Sequence, residues 1–255
     1  MRLIDLSVPL MAGIASDPPH MLPRIDYSGH GAGAAEFEML FPGLRARDLP
    51  GAAGAAIETV AITTHNGTHL DAPWHFHPTM DGGRPALTVD EIPLEWCFSD
   101  GVRLDFRGKP DGHVCTEADI RAELDRIGYR LKPDDIVLMN TAAGAAYGSD
   151  AFLDTGCGFG REATLFLTGS GVRIAGTDAW SWDAPFRHTR ARFEASGDAS
   201  IIWEGHKAGM VRGYCHMEKL TNLDLLPDSG FKVCCFPVKV HRGSAGWVRA
   251  VAILP

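Results

Sequence analysis

Apolar and polar positions recur along this chain in helical and in two-residue rhythms, and the changes of rhythm mark its elements. The helical rhythm is clearest over 116–128, where Ile120, Leu124 and Ile127 fall on one stripe. Thr116 is a good N-cap with Asp119 at the capping-box position, and Gly128 stops the helix. A second, shorter helix is expected over 162–167. The β-branched, alternating run 58–64 (ETVAITT) predicts a strand, 135–141 (DIVLMNT) a buried one and 173–176 a shorter one. Near the C-terminus, 231–240 and 247–254 read as neighbouring strands joined by a short turn through Arg242-Gly243-Ser244. Stretches 20–56 and 73–93 are rich in Pro and Gly with little periodicity, which predicts long loops, the first a candidate lid over a core made elsewhere. These elements describe a mixed α/β chain with more strand than helix and no internal repeat, expected as a single domain over 1–255.

Composition narrows the picture mainly by exclusion. The 255 residues suffice for a real core, and 45% hydrophobic with 22% charged residues is ordinary for a globular protein, so disorder and fibres are poor readings. A formal charge of −8 without a local Lys/Arg run argues against nucleic acid as a partner. No stretch approaches the ~18 apolar residues of a membrane helix, and the N-terminal segment, broken by Asp5 and Pro9, reads as no export signal. The six cysteines lack paired spacing, so reduced thiols and a cytoplasmic setting are expected.

Candidate chemistry is concentrated in one short segment. Four of the eleven histidines lie between 65 and 77, in the run His65-Asn-Gly67-Thr68-His69-Leu-Asp71-Ala-Pro73-Trp-His75-Phe-His77. A lone histidine is ordinarily a packed or solvated side chain, but this density with an aspartate two residues after His69 favours a metal site. Gly67 and Pro73 oppose a continuous helix, so a compact turn leaving the 58–64 strand is expected, with Gly67 allowing His65, His69 and Asp71 to converge. Two neutral imidazoles and a carboxylate with open positions suit catalytic Zn²⁺ or Mn²⁺. His75 reads as a proton carrier, since imidazole can serve as acid or base near neutral pH. His77 reads as an outer or surface residue.

The run from His65 to His75 resembles the H-x-G-T-H-x-D-x-P-x-H signature of the metal-dependent cyclase superfamily, which includes kynurenine formamidases and isatin hydrolases. Gly176-Thr-Asp178-Ala-Trp180, Glu218-Lys-Leu-Thr-Asn-Leu-Asp224 and Phe236-Pro237-Val238-Lys239 are similar to later segments of that family. The resemblance implies a mixed sheet or barrel-like core with flanking helices, of the swivelling β/β/α type, in a homodimer or homotetramer. It implies a first metal on His65, His69 and Asp71, His75 as catalytic acid/base, and a second metal on Asp71, His206 and Glu218, with His216 a rival for His206. One or two Mn²⁺ or Zn²⁺ ions per chain follow. The segment Asp178-Ala-Trp-Ser-Trp-Asp-Ala-Pro-Phe and the His216-Met-Glu218 segment are closer to the isatin hydrolases than to the formamidases.

The implied activity is opening of a small aromatic amide, cyclic or N-formyl, by activated water. Trp74 and Trp180, with Trp182, are candidate walls for such a substrate, each equally suited to a core. A protein that binds metal without turnover is the alternative from another class. The Gly156-Cys-Gly158-Phe-Gly160 segment lacks the spacing of a nucleotide-binding loop and is expected to be a plain flexible loop. No G-x-S-x-G elbow occurs.

Overall fold

The computed structural model describes residues 1–255. Its nine-stranded mixed sheet comprises β1 (Arg2–Asp5), β2 (His69–Asp71), β3 (Phe98–Asp105), β4 (Ile136–Asn140), β5 (Ile174–Thr177), β6 (Cys215–Glu218), β7 (Phe231–Cys234), β8 (Ala245–Trp247) and β9 (Val251–Leu254), in the order β1-β9-β7-β3-β4-β5-β6-β2-β8. The four central strands β3-β4-β5-β6 are parallel, and the remaining pairings are antiparallel. The sheet curls into a half-barrel with helices against it.

Both faces of the centre are covered, which is why β4 reads as an unbroken apolar run rather than an alternating one. Ile136 and Leu138 join a core with Leu70, Met217 and Val233 on one face. Val137 and Met139 join a second core with Ile120, Leu124, Ala163 and Leu167 on the other. Those last four residues come from the helices α3 (Glu117–Ile127) and α4 (Arg161–Gly169), which follow α1 (His30–Leu40) and α2 (Pro73–Phe76) and precede α5 (Phe186–Ser196) and α6 (Glu204–Lys207). The start of α3 is the expected one: the Thr116 hydroxyl accepts from the Asp119 amide, Asp119 accepts from the Thr116 amide, and Gly128 adopts φ 64° at the C-cap.

Several sequence expectations need correction. Residues 20–56 are not all loop, since they hold a strand, Arg24–Ser28, and the helix α1. That helix was hidden because HGAGAAEFEML has no apolar stripe, and it buries only Gly33 and Ala34. The 58–64 strand is found as Ile57–Ala61, outside the main sheet, in a two-stranded exposed ribbon with Arg24–Ser28. The 231–240 and 247–254 runs do contain neighbours, β7 and β9, but no single turn joins them. The intervening chain crosses to the far edge, where β8 pairs with β2. The Gly156–Gly160 segment is buried packing: Gly158 pairs with Val114, and a Cβ there would meet the Ala184 amide nitrogen at 1.9 Å.

Candidate functional site

Strand pairing assembles the site. The signature turn, tightened by Gly67 at φ 62°, follows the exposed strand Ile57–Ala61 and leads into β2, so His69 and Asp71 are themselves strand residues. Antiparallel pairing sets His216 opposite Asp71 and Glu218 opposite His69. Because side chains alternate, the four share one face while Leu70 and Met217 enter the core on the other. His216 Nε2 lies 3.2 Å from both Asp71 Oδ2 and Glu218 Oε1. His69 Nε2 lies 3.3 Å from Asp71 Oδ1 and 3.5 Å from Glu218 Oε2.

Three imidazoles are held by Nδ1 so that Nε2 faces the carboxylates. His69 Nδ1 contacts the Gly67 carbonyl at 2.9 Å, and His216 Nδ1 the Tyr214 hydroxyl at 3.3 Å. His206 Nδ1 contacts Asp183 Oδ2 at 2.5 Å, and its Nε2 stands 3.8 Å from Glu218 Oε1. Asp183 also accepts from the amides of Gly205 and His206, fixing the start of α6. Carboxylate and carbonyl partners of this kind orient metal-binding histidines. His65 Nδ1 lies 2.9 Å from Asp71 Oδ1, with Nε2 3.1 Å from Ser244 Oγ. The helical turn α2 carries His75, whose Nε2 is 3.9 Å from Asp71 Oδ2.

The electrostatics demand positive charge here. Burial works against ionising His69, but Asp71 and then Glu218 outweigh it and push the imidazole up to about 9; His216 is raised to about 9 by the same pair. Burial also opposes ionisation of Asp71 and Glu218, yet the surrounding histidines hold both carboxyls well below their usual range. His75 behaves oppositely. Burial lowers it to about 4, against the pull of Asp71, so its imidazole is neutral near pH 7.

His69 Nε2 and both Asp71 carboxylate oxygens are buried without a hydrogen-bond partner. Three orphaned ligand-type atoms at one point are the signature of a group that a cation can satisfy. Donor atoms of Asp71, His206, His216 and Glu218 lie within 4.8 Å of one another, as do those of His65, Asp71 and His75. Nitrogen and carboxylate donors of this kind fit Zn²⁺ or Mn²⁺.

All six expected metal and catalytic residues, His65, His69, Asp71, His75, His206 and Glu218, therefore meet. His216 and His206 are not alternatives, because both enter the cluster. The cluster opens on a cavity of about 230 Å³ lined by His65, His75, Trp180, Phe186, Trp203 and His206, among others. Trp180 is on its wall as expected. Trp74 is not: it is 44% exposed and does not line the cavity, since the α2 turn that carries His75 inward leaves it outside. Trp182 is fully buried core, stacked 5.4 Å from His216. A larger hollow of about 590 Å³ between Met1, Tyr129, Lys132 and Pro255 lies away from this chemistry. Spacing along the chain gives no signal for Asp183 or Trp203 as site residues. His216-Met-Glu218 on a strand does give one, since alternation must place both polar residues on one face.

A half-barrel sheet carrying a buried histidine–carboxylate cluster at the ends of β2 and β6 defines a class of fold and site. The chain belongs to the putative cyclase family, whose model matches residues 4–184. It is 27% identical over 192 residues to a kynurenine formamidase from Erythrobacter litoralis, covering 75% of this chain and 74% of that one. Isatin hydrolase A from Ralstonia solanacearum has the same fold, with a TM-score of 0.77, 21% identity, and 100% of this chain and 92% of that chain covered. An isatin hydrolase bound to the product analogue thioisatinate aligns with a TM-score of 0.73 at 19% identity, covering 99% and 92%.

Proposed function

We propose that this chain is a metal-dependent hydrolase of carbon–nitrogen bonds, opening a small cyclic aromatic amide of the isatin type. The observation that supports it most is the meeting of three Nε2 atoms with two carboxylates beside a neutral imidazole, His75, at the mouth of an aromatic-walled cavity. His65, His69 and Asp71 would hold one Mn²⁺ or Zn²⁺ and Asp71, His206, His216 and Glu218 a second, and such ions would supply Lewis acidity toward a carbonyl and toward water near neutral pH. The chain's own residues do the rest. His75 accepts the proton of the attacking water and returns it to the leaving nitrogen, giving a carboxylate and an amine on one ring-opened product. Trp180, Phe186 and Trp203 hold the flat ring and limit water.

The relative from Erythrobacter litoralis supports a second reading, deformylation of a linear N-formyl aryl amine. Metal-loaded protein assayed against isatin and against N-formylkynurenine separates the two. Tight metal uptake with turnover of neither, nor of a wider amide and lactone panel, would leave a metal-binding protein without catalysis. We also propose a homodimer or homotetramer. The ribbon and α1 with its C-cap expose Tyr27, Met39, Leu40, Phe41 and Ile57, apolar side chains that a second copy can cover. Light scattering tests it.

A further inference from the structure

Lys219 follows the metal-site glutamate and is 1% exposed, although lysine is almost never fully buried unless paired. It holds φ 56°, a left-handed conformation that a side-chain-bearing residue keeps only where its surroundings impose it. Its ammonium is ion-paired with Asp17, itself buried, and donates to the His65 carbonyl at 2.8 Å. Its amide donates to the Ala179 carbonyl at 2.9 Å, and its carbonyl accepts from the Thr68 hydroxyl at 2.7 Å. Asp17 also accepts from Trp180 Nε1 at 3.2 Å. One residue thus ties together the N-terminal segment, both ends of the signature turn and the cavity wall.

A buried ion pair is a poor device for stability, because desolvation offsets much of the attraction and an apolar pair of similar volume often serves as well. An apolar side chain could not grip a carbonyl. The His65 carbonyl belongs to the residue whose ring meets Asp71, so the ammonium fixes the backbone from which that ring projects.

We propose that Lys219 is a positioning residue for the metal site, setting His65 through its backbone carbonyl while Asp17 neutralises the charge needed to do so. The proposal rests on the reading that His65, His69 and Asp71 hold a metal. Asp17 and Lys219 also border the cavity, so the knot lies between metal and substrate.

The test uses metal-free full-length protein, with Mn²⁺ affinity measured by chelator competition and folding by thermal melts. Partners behind metal ligands typically contribute ~10–100-fold in affinity. The double variant D17N/K219M, which removes both charges, is expected to melt within a few degrees of wild type and to bind Mn²⁺ about 10–100-fold more weakly. D17N alone leaves the buried ammonium uncompensated and is expected to lower the melting temperature more than the double variant does, while weakening Mn²⁺ binding less because the ammonium still holds the His65 carbonyl. The proposal is overturned if the double variant binds Mn²⁺ as tightly as wild type. It is equally overturned if D17N alone weakens binding as much as the pair does, or if the double variant fails to fold, which would make Lys219 a folding residue. Wild-type protein that takes up no metal overturns the underlying reading as well, so the two failures are distinguishable.

Discussion

His216 and Asp71 face one another directly across two antiparallel strands, Nε2 to Oδ2 at 3.2 Å, in a fully buried setting. With Glu218 and His69 beside them, the pair forms a square of two carboxylates and two imidazoles whose charge a metal can complete. Both imidazoles are pushed up to about 9, so in metal-free protein they hold protons at neutral pH. Metal must displace those protons. Uptake should therefore strengthen as pH rises toward about 9 and weaken as it falls, with protons released on binding. Calorimetry in buffers of different ionisation heat measures the release; binding without release at pH 7 would count against this cluster as the ligand set.

His69→Ala removes the imidazole whose Nε2 faces Asp71 and Glu218 without a hydrogen bond, and leaves Asp71 less compensated. Metal content should drop by about one ion per chain, with turnover lost. Elemental analysis and an amide-hydrolysis assay are the check, and full occupancy with normal turnover would falsify the assignment.

Glu218 contacts His69, His206 and His216 but not His65. Glu218→Ala is expected to remove about one ion per chain and leave the His65–Asp71 side filled. Unchanged stoichiometry and rate would make Glu218 structural. Its other bond, from the Trp182 amide at 2.9 Å, would then be its purpose.

His75→Ala should keep metal and fold while kcat falls by ~10²–10⁴, the usual share of general acid–base catalysis. If metal is lost, the ring is a ligand. Near-normal kcat with metal intact would remove it from the mechanism.

Asp178 offers a test away from the metal. Its carboxyl is fully buried, and burial pushes it up to about 7 although the Thr141 hydroxyl and amide donate to it. Folded protein keeps this proton up to about pH 7, whereas the unfolded chain releases it near 4. The contribution to stability is thus present below pH 4 and is lost as pH rises through 7, by on the order of a few kcal/mol. Asp178→Asn should gain relative stability at pH 8 compared with pH 5. An equal melting-temperature difference at both would contradict the shift.

The signature's ligands were legible because it gathers His65, His69, Asp71 and His75 within eleven positions, and the helix α3 because Thr116, Asp119 and Gly128 punctuate an apolar stripe. Of the four central strands, β4 and β5 were legible because burial on both faces leaves runs such as DIVLMNT without alternation, whereas β3 and β6 were not expected from the sequence. Other features depend on partners distant in sequence. ETVAITT alternates like a core strand, yet pairs only with Arg24–Ser28. Nothing local to Trp74 and Trp180 tells which ring the fold turns inward. Asp183 meets His206 only because the loop before α5 passes beneath α6.

The same strand order has a consequence for how the molecule is made. A ribosome that has delivered the whole His65–His75 signature has delivered no site. The strand beside β2 on one side contains His216 and Glu218, and the strand on its other side begins at Ala245. Until those residues emerge, the polar groups of β2 have neither carboxylate partner nor cover. Pairings so distant in sequence are slow to form. A nascent chain arrested after residue 200 should therefore hold metal no better than a free peptide carrying the signature, and loading of the ion belongs to the completed polypeptide.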